Sequence, residues 1–195
     1  DNCASFKKIF GDQNYQKASR ILCKPEQEWR GADGIAFLVQ SQKVDFKWEF
    51  FNQDGSSAEM CGNAARCVTR FAEDNKIASS PINFETIAGT ICGELIDDSL
   101  VKVSMPHLTD THLNQSLKEF NLNYDFVNSG VPHVVIETKN LYPLSQHVNL
   151  AQQLRQKGLF PPKGANITFL EVISNTKIRS ATFERGVENF TQACG

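Results

Sequence analysis

The stretch FNQDGSSAEMCGNAARC, residues 51–67, joins the end of an apolar strand to an acidic turn and then to Cys61, Gly62 and Asn63. Small and apolar residues at helical spacing follow, so the stretch predicts a helix that begins directly after Cys61. The first backbone N–H groups of a helix lack partners within it, and the helix dipole favours negative charge there. We therefore expect the Cys61 thiol to lie where a thiolate is stabilised.

A weaker copy of this pattern, FERGVENFTQACG, occupies residues 183–195 and contains Cys194 followed by Gly195. In both copies a strand and an acidic loop precede a Cys-Gly pair. The repetition predicts two similar halves that face one site. Two thiols on opposite sides of a substrate carbon form an acid–base pair, in which one removes a proton while the other delivers one.

Composition narrows the classes of function that remain. The 195 residues are 41% hydrophobic and 22% charged, with a net charge of −2 and no basic stripe, so we expect no nucleic-acid partner. No apolar run reaches the length of a membrane span, and we expect no membrane association. The six cysteines are irregularly spaced, which favours reduced thiols and a cytoplasmic location. Because the chain has no C-x-x-C and no H-x-x-x-H motif, we expect no metal site.

Periodicity predicts an α+β fold in two halves, residues 1–106 and 107–195, each carrying one of the two Cys-Gly turns. The predicted helices are 12–23 capped by Asp12, 62–74, and one from Ser145 to near Gly158. The predicted strands are 35–39, 44–51, 82–87, 91–96, 101–105, 126–127, 134–137, 167–173 and 178–183. Pro106-His107 and the polar run 109–114 suit a domain boundary. In helix 62–74, the predicted buried face contains Ala64, Ala65, Cys67, Val68, Phe71 and Ala72.

These motifs together resemble the diaminopimelate epimerase family. The first signature of that family extends from Asn52 to Cys67, and the second from Glu184-Arg185-Gly186 to Ala193-Cys194-Gly195. Between them, Gly130-Val131-Pro132-His133 matches the family's Gly-x-Pro-His motif, and Asn166 matches an Asn that opens a strand. The motifs occur in the family's order along almost the whole chain.

The resemblance implies two pseudo-symmetric α/β halves, each a curled mixed sheet around a central helix, with the active site in the cleft between them. It implies that LL-diaminopimelate, a small amino-acid substrate, is converted to the meso form, a precursor of lysine and peptidoglycan. The family needs neither pyridoxal phosphate nor another cofactor, and no metal. The residues expected to transfer protons are Cys61 and Cys194.

The other expected site residues bind the substrate. The resemblance implies that Asn52 and Asn166 hold its distal end, that Glu184 and Arg185 contact its ammonium and carboxylate groups, and that His133 lies near its amine. Backbone N–H groups at Gly62 and Asn63, and those following Gly195, are expected to face a substrate carboxylate. Of the remaining residues, we expect Asp54 to be structural, Arg66 to brace the Cys61 turn, Cys67 to be buried, and His107, His112 and His147 to lie at the surface.

Several alternatives stay open from the sequence. Gly34 and Val131 stand where many family members carry Gln and Asn, which leaves room for a racemase of another amino acid, such as glutamate or proline. A non-catalytic binding homologue is a second alternative, and a cysteine hydrolase lacks a convincing Cys–His–Asn order. The chain begins without Met and ends just after its second Cys-Gly pair, so we expect it to be an inactive piece of a longer protein. The oligomeric state is open, a homodimer included.

Overall fold

A computed structural model describes residues 14–26, 30–156, 158–160, 164–192 and 194. The chain divides into two compact units, with the division between Ser104 and Met105. The described helices are α1 (Tyr15–Leu22), α2 (Gly62–Asp74) and α3 (Ser145–Gln156), with a 3₁₀ turn at Lys118–Phe120. The described strands are β1 (Gly34–Val39), β2 (Phe46–Asn52), β3 (Ile82–Thr86), β4 (Gly89–Leu95), β5 (Val101–Val103), β6 (Thr109–Leu117), β7 (Leu122–Asn128), β8 (Pro132–Glu137), β9 (Asn166–Ser174), β10 (Lys177–Glu184) and β11 (Asn189–Phe190).

The first unit is a five-stranded mixed sheet in the order β1-β2-β3-β4-β5. Among the described strands of this sheet only β2 and β3 pair in parallel, and α2 forms the crossover between them. A parallel pair needs such a crossover, because the chain must return to the same end of the sheet. Aromatic rings fill the core: Phe46 stacks on Phe84 with centroids 5.2 Å apart, and Trp48 packs 5.5 Å from Phe84.

The second unit is a six-stranded mixed sheet in the order β11-β10-β9-β8-β7-β6. Here β8 and β9 are the parallel pair, and α3 forms the crossover. The buried core residues come from both sheet and helix, and they are Val134, Ile136, Leu141, Ala151, Leu154, Ala165, Ile167, Phe169 and Phe183. The predicted α+β class with mixed sheets is confirmed.

The two units share an order of elements. In the first, α1 precedes the antiparallel hairpin β1–β2, and Cys61 follows it. In the second, α3 precedes the antiparallel hairpin β9–β10, and Cys194 follows after the short strand β11. The repeated motifs in the sequence therefore correspond to repeated elements in the fold.

Helix α2 has the predicted bounds, but the predicted buried face is partly wrong. Ala65, Val68 and Ala72 are buried as expected, whereas Cys67 is exposed and Phe71 is 51% exposed. The face that packs against β4 and β5 contains Thr69 instead, which is fully buried. Residues 65, 68, 69 and 72 lie on one stripe of a helix, and Cys67 and Phe71 lie to one side of it.

The polar run 109–114 was expected to be a boundary segment, but it belongs to β6, an exposed edge strand whose pairing with β7 is interrupted by register shifts. Irregular pairing and polar side chains are common protections of sheet edges, and they hide the alternation that marks a strand. The expected cap Asp12 lies outside the described residues, and α1 begins at Tyr15 with Asn14 as its cap, whose Oδ1 accepts from the Lys17 N–H at 3.2 Å.

Candidate active site

Cys61 is the residue from which α2 starts. Its backbone is extended, with φ −148° and ψ 112°, and its carbonyl oxygen accepts the first helical hydrogen bond from the Ala65 N–H at 2.9 Å. The half-buried thiol therefore lies at the helix N-terminus, as the sequence predicts. Backbone N–H groups of the first turn supply partial positive charge at this end of the helix.

The first turn of α2 is braced by its own side chains. Arg66 donates a hydrogen bond from Nη2 to Oδ1 of Asn63, which is the bracing role expected for Arg66. Gly62, the first residue of the helix, is buried. This hydrogen bond links the first and second turns of α2 directly after Cys61.

Close packing against β4 fixes the distance between α2 and the sheet. A Cβ atom added at Gly93 would lie 2.0 Å from Oγ1 of Thr69 and 2.6 Å from its Cγ2. The Thr69 hydroxyl donates to the carbonyl oxygen of Ala65 at 2.8 Å, so its hydrogen-bonding capacity is used within the helix. Only glycine at position 93 lets the helix approach this closely.

Asn52 ends β2 and is 9% exposed. Its Nδ2 donates to Oγ of Ser56 at 3.0 Å, and its backbone N–H donates to the Ser56 carbonyl oxygen at 2.8 Å. Asp54 closes the turn, because its Oδ1 accepts from both the backbone N–H (2.8 Å) and the hydroxyl (2.6 Å) of Ser56. The structural role expected for Asp54 is confirmed, and Ser56 is a partner of Asn52 that the sequence analysis missed.

Gly34 lies directly opposite Asn52 in the β1–β2 pair. A Cβ atom at Gly34 would lie 2.8 Å from both Cζ of Phe50 and the carbonyl oxygen of Phe51. A backbone carbonyl cannot move aside as a flexible side chain can. The space beside Asn52 is therefore closed to a side chain from position 34.

In the second unit, His133, Asn166 and Arg185 form a connected polar group. His133 on β8 pairs with Asn166 on β9, and Nε2 of His133 lies 3.2 Å from Nδ2 of Asn166. Oδ1 of Asn166 accepts from the Arg185 backbone N–H at 2.9 Å. Three residues expected in the site from separate motifs are thus brought together by strand pairing.

The environment of His133 favours its neutral form. Burial of the ring lowers the pKa of His133, and the nearby positive charge of Arg185 lowers it further. Nδ1 of His133 lies 3.0 Å from Oγ1 of Thr168, which is itself 3.0 Å from Oγ1 of Thr182. The two threonines were not predicted, although Thr168 and Asn166 occupy alternate positions of one strand, where side chains share a face.

Glu184 ends β10, and two neighbours fix its surroundings. Oε1 of Glu184 accepts from the Thr191 hydroxyl at 2.6 Å, and its carbonyl oxygen accepts from the Glu188 N–H at 2.8 Å. Arg185 directs its Nη1 toward the carbonyl oxygen of Gly164 at 3.5 Å. The expected ammonium- and carboxylate-binding residues are therefore adjacent at one strand end.

An ion pair holds the turn after Glu184 to α3. Arg155, whose side chain is 11% exposed, donates from Nη2 to Oε1 of Glu188 at 2.5 Å. The same carboxylate oxygen accepts from the Gly186 N–H at 3.2 Å. The sequence offers only one signal for this contact, a basic residue in the last turn of a helix.

Cys194 is exposed, whereas Ala193 and Gly195 lie outside the described residues. His107 and His112 are exposed as expected, and His147 is half-buried: its ring stacks on the buried ring of Phe169 with centroids 4.4 Å apart. Across the described ranges, no three His, Cys, Asp or Glu side chains form a group that could hold a metal ion. Likewise, no helix within the described residues has the length and apolar character needed to cross a membrane.

The fold places the chain in a known structural class. It matches a hydroxyproline epimerase from Agrobacterium vitis, solved with bound trans-4-OH-L-proline, with a TM-score of 0.65 and 16% sequence identity over 88% of this chain and 58% of that chain. At this level of identity, the likeness shows the fold alone, which is the mixed-sheet fold of that epimerase.

Sequence comparison identifies the family within that class. The diaminopimelate epimerase family model matches residues 2–108. The chain is 42% identical over 188 residues to the diaminopimelate epimerase of Hydrogenobaculum sp. (strain Y04AAS1), covering 90% of this chain and 65% of that relative. It is 36% identical over 190 residues to the enzyme of Campylobacter lari, covering 96% and 72%.

The chain belongs to the diaminopimelate epimerase family, and the resemblance noted from its motifs is confirmed. It spans less than two thirds of the length of the Hydrogenobaculum relative, at 65%.

Proposed function

We propose that the full-length protein interconverts LL- and meso-diaminopimelate by two-base proton transfer at the α-carbon, with Cys61 and Cys194 as the acid–base pair. The observation that carries this proposal is the position of Cys61, at the N-terminus of α2 and within a sequence that belongs to the family. One thiolate removes the α-proton, and the other cysteine delivers its thiol proton to the opposite face of the carbon. The total number of protons on the enzyme is unchanged, and the two cysteines exchange protonation states in each turnover.

The carbanion formed between these two steps needs electrostatic stabilisation. Backbone N–H groups at Gly62 and Asn63, at the start of α2, can bind the substrate carboxylate and withdraw negative charge from the α-carbon. We assign the corresponding role in the other half to the backbone following Cys194, including Gly195.

Glu184 and Arg185 suit the remaining groups of the substrate. Diaminopimelate carries two ammonium and two carboxylate groups, so it needs both an acceptor and a planar cationic donor. The Thr191 hydroxyl donates to Oε1 of Glu184 at 2.6 Å, and the backbone N–H of Arg185 donates to Oδ1 of Asn166 at 2.9 Å. Asn52 and Asn166, which are 9% and 7% exposed, are proposed to hold the distal end of the substrate by amide hydrogen bonds.

We further propose a cytoplasmic enzyme that supplies a precursor of lysine and peptidoglycan and requires no pyridoxal phosphate. This proposal rests on the family and on the two cysteines, whose thiolate and thiol can remove and return the α-proton without a cofactor.

The test is hydrogen exchange by the full-length protein in D₂O. LL-diaminopimelate, L-glutamate and L-proline are incubated separately, and α-deuterium incorporation and stereoisomer formation are followed by NMR and chiral chromatography. We expect exchange and inversion of diaminopimelate alone, with a loss of at least about a thousandfold in Cys61→Ala and Cys194→Ala, because each variant lacks one of two obligatory groups.

Cys67→Ala is the matched control, since Cys67 is an exposed cysteine on the same helix as Cys61. It should retain wild-type turnover. Turnover of glutamate or proline would instead identify a racemase of different specificity. The absence of exchange with all three substrates would identify a binding homologue and refute the mechanism.

A further inference from the structure

The orientation of the Asn166 side chain is set by a group that can only donate. The backbone N–H of Arg185 lies 2.9 Å from one terminal atom of the Asn166 carboxamide. A backbone N–H has no lone pair to offer, so this atom is the carbonyl oxygen Oδ1. The amide nitrogen Nδ2 therefore faces His133, 3.2 Å from Nε2.

This orientation determines the tautomer of His133. Nδ2 of Asn166 carries two hydrogens and accepts nothing, so Nε2 of His133 must be the nitrogen with a lone pair. A neutral ring then carries its proton on Nδ1, which lies 3.0 Å from Oγ1 of Thr168. The lowered pKa of His133 agrees with a ring that carries only one proton.

The chain of hydrogen bonds ends in a second threonine. When the Thr168 hydroxyl accepts from Nδ1, its own hydrogen can be donated to Oγ1 of Thr182, 3.0 Å away. Thr168 and Thr182 are directly paired across β9 and β10, and Thr182 is 5% exposed. Three neighbouring strands thus hold four side chains in one hydrogen-bonded chain, where water has little access to replace a lost partner.

We propose that Thr168 and Thr182 are positioning residues that, together with the Asn166 carboxamide, hold His133 as its Nδ1–H tautomer. Neither hydroxyl is assigned a contact with substrate. The inference rests on the proposed function only in treating His133 and Asn166 as site residues.

The orientation of the Asn166 carboxamide determines which of its atoms can bind a ligand. With Oδ1 bonded to Arg185 and one Nδ2 hydrogen bonded to His133, the carboxamide presents its second Nδ2 hydrogen in a fixed direction. If His133 adopted the Nε2–H tautomer, its Nε2–H would oppose the Nδ2–H of Asn166, and turning the carboxamide over would instead oppose Nδ2–H to the Arg185 N–H. In either arrangement Asn166 would lose one of its two hydrogen bonds.

The experiment reads the tautomer directly. The full chain is labelled with ¹⁵N-histidine, and long-range ¹H–¹⁵N correlations are recorded for the ring nitrogens of His133, assigned by comparison with His133→Gln. We expect a protonated signature at Nδ1 and an unprotonated one at Nε2, the opposite of the Nε2–H form that free histidine prefers. A ring that is mainly Nε2–H in the wild type would overturn the proposal without any variant being needed.

Variants separate a positioning role from simple packing. Thr168→Val keeps the shape of the side chain but removes the acceptor for Nδ1, so the Nε2–H signature should appear, whereas Thr168→Ser should retain the wild-type pattern. Thr182→Val should produce a smaller shift in the same direction, because Thr182 acts through Thr168. An unchanged tautomer in Thr168→Val, or in Thr182→Val if the first variant does not fold, would contradict the positioning role.

Thr69→Val is the matched control, since it removes the hydroxyl of a fully buried threonine in the other unit. Its His133 spectrum should equal that of the wild type. In the full-length enzyme, Thr168→Val should lower kcat/KM for diaminopimelate about tenfold and Thr168→Ser about twofold. The NMR signature needs no turnover, so failure of the proposed function and failure of this inference give different results.

Discussion

The hydroxyl of Thr191 donates a hydrogen bond of 2.6 Å to Oε1 of Glu184, across the turn that joins β10 to β11. The Thr191 backbone N–H also donates to the carbonyl oxygen of Thr182 at 3.2 Å, so the hydroxyl is held in place by the sheet itself. A charge-assisted hydrogen bond of this length restricts the carboxylate to one orientation. Glu184 is therefore positioned before any substrate arrives.

Removal of this hydroxyl should impair binding of the substrate ammonium group. In Thr191→Val we expect kcat/KM for diaminopimelate to fall about tenfold, because the carboxylate loses one hydrogen bond and its fixed direction. Thr191→Ser restores the donor and should remain within about threefold of the wild type. Equal losses in the two variants would show that restoring the hydroxyl does not restore activity, which would contradict its role in positioning Glu184.

The contact between Gly93 and Thr69 should control both stability and the position of Cys61. Gly93→Ala places a methyl group 2.0 Å from Oγ1 of Thr69, so α2 must shift away from β4. We expect a loss of about 2–3 kcal/mol in the free energy of unfolding, measured by urea denaturation.

The double variant Gly93→Ala/Thr69→Ala tests the cause. Thr69→Ala removes the two closest atoms, Oγ1 and Cγ2, and leaves Cβ at 2.9 Å. The double variant should therefore lose less stability than the sum of the two single changes, by about 1 kcal/mol or more. Simple additivity would indicate that the helix does not press on Gly93.

His133 should make the protein less stable in mild acid. Burial, with the charge of Arg185, lowers the pKa of His133 in the folded state below its ordinary value of 6.5. Between these two pKa values the unfolded chain binds more protons than the folded one, so the free energy of unfolding rises with pH in that window. The contribution is fully present above about pH 6.5 and decreases as the pH falls toward the folded-state pKa.

The measurement compares urea unfolding at about pH 7.5 and about pH 5.5. The wild type should lose more stability between these conditions than His133→Gln, which has no titrating ring. His107→Gln removes a histidine from an exposed position and should keep the wild-type dependence. A pH dependence that is identical in wild type and His133→Gln would exclude His133 as the source.

Most elements could be predicted because their patterns are local. The range of α2, from just after Cys61 to Asp74, follows from a periodic run bounded by a Cys-Gly turn and a polar end. The exposed positions of Cys67 and Phe71 could not be predicted, because apolar residues on this helix allow two overlapping faces, and only contact with β4 and β5 selects one. Strand β6 was missed for a related reason: an irregular edge strand with exposed polar side chains looks like a loop.

The sequence by itself determined most of the helices and strands, the Cys-Gly turn at the start of α2, and the motifs that mark the family. These features depend on residues close together in the chain, where spacing alone carries the physical information. Tertiary structure alone decided which distant residues meet. Thr168 and Thr182 form a hydrogen-bonded chain with His133, Thr191 donates to Glu184, and Gly93 packs against Thr69. Each of these contacts joins segments that strand pairing or helix packing brings together, and a threonine bonded inside a sheet has the same sequence signal as one that faces water.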